Sequence, residues 1–354
     1  MQDIESLLNT IKLFKSPPAK FGTHVPPYLE KAILGFMKDA MGIELEERET
    51  RKVDIDVDTV QSGDFIGTMR TDGLGLIIQY GTGARIGHNL MALRFDGELY
   101  IVESTDPGGL QRTLWADRMK ELEDSDFSVT FSRLSPEARA KFDEKKAQDF
   151  FFETQGLPYG YHNFLFGWVD SANDNWPPLL PKEFMPIVWK IVEDMDPDLA
   201  RNMFSEALNK RLGVQNKNIS EVAEIAAQQN MSILDVMAMP EQDGWEYTGL
   251  GPNDGRNWVC SAYVTAFYQA AGVLDGFEIN STEFATMDVY IMKLFDTETP
   301  LPDACIEADP DLPYCQLMGK WRVELPQYNS IEPYDHMFEH CDINFPSYRR
   351  DPGC

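Results

Sequence analysis

Basic residues are scarce in this chain: 31 Lys and Arg stand against 58 Asp and Glu, for a formal net charge of −27. Such a surface repels phosphate backbones and anionic headgroups, which excludes nucleic acid as a partner. Long apolar runs are missing too. No stretch approaches the roughly eighteen residues that a membrane span requires, so no integral membrane segment is expected. Residues 1–16 alternate charged with apolar positions instead of forming a leader core. Cysteine and histidine are few, five of each, so every candidate nucleophile and base can be weighed individually.

Four of the cysteines, Cys305, Cys315, Cys341 and Cys354, crowd the C-terminal end, while Cys260 stands apart. This reads as two disulfides and one free thiol, which favours a secreted or lumenal, oxidising compartment. Four cysteines allow three connectivities, so the pairing stays open. The sequons at Asn218, Asn230 and Asn280 agree with that compartment. His336, His340 and Cys341 invite a zinc reading. The gap from Cys305 to Cys315 is too wide for a compact knuckle, however, and no metal or cofactor is expected.

Apolar residues at helical spacing predict helices over residues 3–15 and after Pro26-Pro27, making residues 1–50 an N-terminal helical cover. Val53 to Asp58 alternates strictly and predicts a strand with one row of carboxylates. A calcium loop starting at Asp54 would need Gly and Glu where Thr59 and Phe65 stand. Strands are then expected at Gly63 to Gly67 and Leu74 to Tyr80. A hairpin from His88 to Ser104 should turn at Asp96-Gly97, with a further strand at Phe127 to Phe131. Ser135-Pro136 caps a helix predicted to run over 136–154. Three or four helices between 182 and 240 suggest a helical insertion, about 176–250, within a catalytic domain spanning 51–300. Residues 301–354 form a cysteine-containing extension poor in regular structure.

The segment from Trp258 to Gly272 is helical in pattern and follows the polar turn Pro252 to Asn257, which places Cys260 in the first helical turn. Unpaired N–H groups and partial positive charge at a helix N-terminus favour a thiolate over a thiol, and can also cradle an oxyanion. Such a nucleophile needs an imidazole, and His88, entering an apolar strand, is the best placed; His162 comes second. Glu103, on the partner strand, can fix the tautomer of that ring. Singly, each residue has a plainer reading: a core cysteine, a turn histidine, a solvated glutamate. Their order and placement together carry the assignment.

That order resembles a known group. Gly63-Asp64-Phe65-Ile66, Gly87-His88-Asn89 entering a strand, Tyr100-Ile101-Val102-Glu103, and Trp258-Val259-Cys260-Ser261-Ala262-Tyr263 opening a helix are similar to the circularly permuted NlpC/P60 papain-like proteins, YiiX-like hydrolases in particular. The resemblance implies an α+β fold in which an antiparallel sheet carrying His88 and Glu103 packs on the helix carrying Cys260. It also implies a permuted triad: Cys260 as nucleophile, His88 as base and acid, Glu103 as orienter. Asp64, Tyr161, His162 and Trp258 become substrate-binding candidates. The expected substrate is a peptide, an amide or an acyl ester, the activity that of a thiol hydrolase. Two other readings remain: a lipid acyltransferase or thioesterase on the same fold, and a catalytically silent binding or structural protein.

Overall fold

The computed structural model describes residues 21–106, 108–163, 185–237, 239, 241–247 and 255–338. The predicted helix over 3–15 therefore lies outside the described residues, as do Cys341, Cys354 and His340.

Six antiparallel strands form one sheet: β1 (Phe65–Met69), β2 (His88–Phe95), β3 (Glu98–Thr105), β4 (Gly109–Leu114), β5 (Ser128–Ser132) and β6 (Cys315–Met318). Their spatial order is β4-β3-β2-β1-β5-β6. The β2–β3 turn is set by Asp96 and Gly97, both at positive φ, as a two-residue hairpin turn requires. Alternation along the strands gives the sheet two apolar faces. On one, Phe65, Met91 and Val102 meet Tyr263 and Phe267 of the cysteine-bearing helix. On the other, Ile66, Leu90, Ile101 and Phe131 meet Trp115 and Leu122. The molecule is thus α+β, with both faces of its sheet covered.

The helices run in chain order as α1 (Pro27–Met41), α2 (Gly73–Thr82), α3 (Trp115–Glu123), α4 (Pro136–Lys141), α5 (Glu144–Thr154), α6 (Met185–Met195), α7 (Glu206–Leu212), α8 (Ile219–Gln228), α9 (Ile233–Met237), α10 (Cys260–Ala270), α11 (Thr286–Ile291) and α12 (Asp303–Ala308). Ile33 and Met37 of α1 pack on Leu76 of α2. Helices α6 to α9 have a core of their own, including Trp189, Phe204, Leu208, Val222 and Val236. A buried network joins that block to the rest: Arg211 pairs with Glu241 at 2.9 Å, and Asn280 Nδ2 donates to the Glu241 carbonyl at 2.5 Å. Asn280, one of the three sequons, is buried.

Several expectations fail for identifiable reasons. Leu74 to Tyr80 is helical, within α2, because the Asp72 carboxylate accepts the Gly75 N–H at 2.7 Å as N-cap and Gly83 closes the C-terminus at φ 72°. Val53 to Asp58 is not a strand. Its Asp56 carboxylate accepts the Asp58 N–H and starts a 3₁₀ turn at Val57, so only Lys52 bridges to Met318. The helix predicted over 136–154 is two, since Asp143 caps α5 and breaks the run. The C-terminal region is more ordered than its composition implied: a Cys305–Cys315 disulfide joins α12 to β6, and β6 extends the sheet beside β5. That bond removes two ligands from the zinc reading. Among the described residues, no helix is long and apolar enough to cross a membrane.

Candidate active site

His88 opens β2 and Glu103 lies near the end of β3. Register pairs Met91 with Val102, so alternation puts His88, Leu90, Ile101 and Glu103 on one side of the hairpin. His88 Nε2 lies 2.8 Å from Glu103 Oε2. The other carboxylate oxygen, Oε1, lies 2.5 Å from Arg118 Nη2 on α3, and the Gln111 side chain from β4 bonds to the same group. Arg118 is buried, bonds Thr113 Oγ1 at 2.9 Å, and is held over the Phe21 ring at 4.4 Å. Burial disfavours the Glu103 charge. The hydrogen bond and charge of His88, with the Arg118 guanidinium, outweigh it and keep the carboxyl below the usual carboxylate range.

Cys260 is the first residue of α10, 1% exposed, and is the one free cysteine among the described residues. Val259, the N-cap, offers no side-chain cap, so the first-turn N–H groups are not occupied by a capping oxygen. The sulfur lies close enough to His88 for the two groups to interact electrostatically. Burial disfavours the imidazolium, yet the neighbouring Cys260 and the bonded Glu103 raise His88 from 6.5 to about 10. A cation is therefore held between a sulfur and a carboxylate.

The loop after α5 holds this helix start in place. Tyr159 forms a bridge with Trp258, Gly160 N donates to the Trp258 carbonyl at 3.1 Å, and Asn163 Oδ1 accepts the Val259 N–H at 3.1 Å. Ser104 Oγ, from β3, donates to that same Trp258 carbonyl at 2.6 Å. Gly160 is required by close approach: a Cβ there would lie 2.7 Å from the Trp258 carbonyl carbon. Burial and the nearby charges of Cys260 and Asp106 keep the Tyr159 phenol protonated well above its usual range. The Tyr161 hydroxyl donates to Asp106, and burial with that bond raises its phenol too.

Of the four substrate-binding candidates, Tyr161 lies beside the site, through Asp106. The Trp258 ring is buried against Phe150 and Tyr263, so that residue contributes its backbone. Asp64 braces the fold: it accepts the N–H groups of Gln61 and Leu134 and pairs with Arg139. The His162 ring packs at a tilt against Tyr247, centroids 3.9 Å apart, and lies 3.7 Å from Glu241; burial with the charge of Arg211 pushes it down to about 3. A ring so reluctant to take a proton is a poor base. Sequence reasoning missed Arg118, Gln111, Asp106 and Tyr159. Only Tyr159 carried a local signal, since the sequence Gly156-Leu157-Pro158-Tyr159-Gly160-Tyr161 is rich in aromatic and turn-forming residues.

A cavity of about 520 Å³ opens beside the cluster. Its lining includes His88, Glu103, Gln111, Arg118 and Tyr159, the charged pair Arg70 and Asp72, and the apolar Leu74, Ile78, Leu90, Leu122 and Phe127.

No known family model matches this chain, and no curated protein is significantly similar to it. Among solved structures, the chain is similar to the metalloprotein YiiX from Escherichia coli O157:H7 at 18% identity. The match covers 45% of this chain and 86% of that one, with a TM-score of 0.24. Likeness at that level says nothing about chemistry.

Proposed function

We propose that this protein is a thiol hydrolase of amides or esters, built on a permuted papain-like catalytic unit spanning residues 51–300 with a helical insertion at about 176–250. One observation supports the reading: a single imidazole, His88, lies 2.8 Å from the Glu103 carboxylate and interacts electrostatically with Cys260 at the start of α10. An inert core cysteine has no use for such a partner.

The chemistry follows from that pair. Cys260 Sγ attacks the substrate carbonyl carbon, and the oxyanion forms at the uncapped start of α10, where N–H groups point outward. Collapse breaks the bond to the leaving group, which departs with the proton of the His88 imidazolium and leaves a Cys260 thioester. Neutral His88 then takes a proton from water as the hydroxide adds to the thioester. The acid leaves, and the thiolate and imidazolium are restored. Glu103 keeps Nε2 of the ring occupied throughout, so the other nitrogen faces the sulfur.

A raised imidazole value has a definite consequence for the pH profile. The donor form persists through neutrality and is lost as pH passes about 10, so kcat/KM on an activated ester should fall there. An alkaline limb near the ordinary histidine value of about 6.5 would contradict the proposed pair.

A further inference from the structure

We infer that Ser104 and Asn163 are positioning residues for the nucleophile: by gripping the peptide unit between Trp258 and Val259, they aim the first turn of α10 while leaving its N–H groups free for the oxyanion. The inference rests on the thiol-hydrolase reading and adds to it the residues that place the sulfur.

The start of α10 lacks the usual fastening. Ser, Thr, Asp or Asn at an N-cap sets a side-chain oxygen on the second or third N–H of the helix, and Val259, which stands there, cannot. Such an oxygen would occupy N–H groups that a carbonyl under attack by the sulfur needs as it becomes an oxyanion. The chain is fastened one residue earlier instead. The Trp258 carbonyl and the Val259 N–H belong to one planar unit. Ser104 Oγ donates to that carbonyl at 2.6 Å and Gly160 N at 3.1 Å, while Asn163 Oδ1 accepts the N–H at 3.1 Å, so the plane is held along both edges. Gly160 and Asn163 are the two ends of a single turn, closed by Asn163 N donating to the Gly160 carbonyl at 2.9 Å. The next unit, between Val259 and Cys260, is fixed by the helix itself, with Tyr263 N donating to the Val259 carbonyl at 2.9 Å. Both units flanking Val259 are thus held, and the direction of the Cys260 N–H follows. Ser104 and Asn163 are buried, so water does not compete for these bonds.

Ser104 also ties the nucleophile to the base. It follows Glu103 on β3, and alternation sends the two side chains to opposite faces of the strand. Glu103 lies 2.8 Å from His88, and Ser104 holds the segment that leads into Cys260. One strand sets the place of both partners.

The test compares thermal melts and steady-state hydrolysis of an activated ester in the native chain, Ser104→Ala and Val259→Thr. Threonine has the shape of valine and is a good N-cap, so Val259→Thr should melt at or above the native temperature. Its hydroxyl takes an N–H that the oxyanion uses, so kcat should fall by about tenfold or more. Acylation and deacylation both pass through that oxyanion, and slowing them alike leaves KM within about twofold of native. Ser104→Ala should melt lower and lose about tenfold in kcat, again with KM held. A merely structural N-cap could not lose activity while keeping or gaining stability. Native kcat in either variant, or losses that track the melting temperature in both, overturns the positioning role while the thiol chemistry stands. A native chain that hydrolyses the ester no faster than Cys260→Ala overturns the underlying reading and the inference with it.

Discussion

Replacing Cys260 with alanine should abolish the ester and amide turnover proposed for this protein, by roughly 10⁴-fold or more, and leave the chain folded. The loss is large because the sulfur is the atom that becomes covalently attached; without it, His88 has no nucleophile to serve. The fold survives because alanine is the best helix former and Cys260 is the first residue of α10, so no turn of the helix depends on the sulfur. The void left by one buried sulfur costs about 1 kcal/mol. Hydrolysis of an activated ester, read beside a thermal melt, separates the two effects. A binding protein with no catalytic role would show no difference between the two chains.

Arg118→Leu should be the most disruptive single change outside the nucleophile, and its effects should separate in a way that identifies its role. Arg118 and Glu103 are both buried, 2.5 Å apart. Removing the guanidinium strips the buried carboxylate of one of its two cationic partners, leaving His88 and Gln111, at a cost of about 3 kcal/mol. Burial then favours protonated Glu103, which no longer supports the imidazolium, so the alkaline limb of activity moves down from about 10, by the part of the rise that Glu103 rather than Cys260 supplies. Adding Glu103→Gln to Arg118→Leu removes the unpaired charge. Stability should recover in large part while the displaced limb remains, since one of the two groups that raise His88, the Glu103 carboxylate, is still absent. A residue that merely packed α3 against the sheet would shift the melt and leave the pH profile alone.

Local chemistry was legible where it was self-contained. Asp96-Gly97 announces a hairpin because both positions must take positive φ, and Ser135-Pro136 announces α4 because cap and first turn are adjacent in sequence. The polar turn before Trp258 placed Cys260 within one turn of a helix start, and the hairpin's symmetry brought His88 beside Glu103. Leu74 to Tyr80 misled because its continuous apolar run fits a buried strand or a buried helix equally; the deciding signals, Asp72 and Gly83, flank it. Val53 to Asp58 misled through its alternation, which the Asp56 turn interrupts. Arg118 was invisible for another reason. It sits on an ordinary amphipathic helix, and only the packing of α3 against β3 and β4 brings it to Glu103.

The central claim is that Cys260 and His88 act as one ion pair. Its most direct test is the rate of iodoacetamide alkylation at Cys260, mapped by peptide, at pH 6 in the native chain and in His88→Ala. The pair predicts prompt alkylation of the native sulfur and a rate at least about tenfold lower without the imidazole. Equal rates in the two chains, or a native Cys260 that stays unlabelled until the protein unfolds, would contradict it.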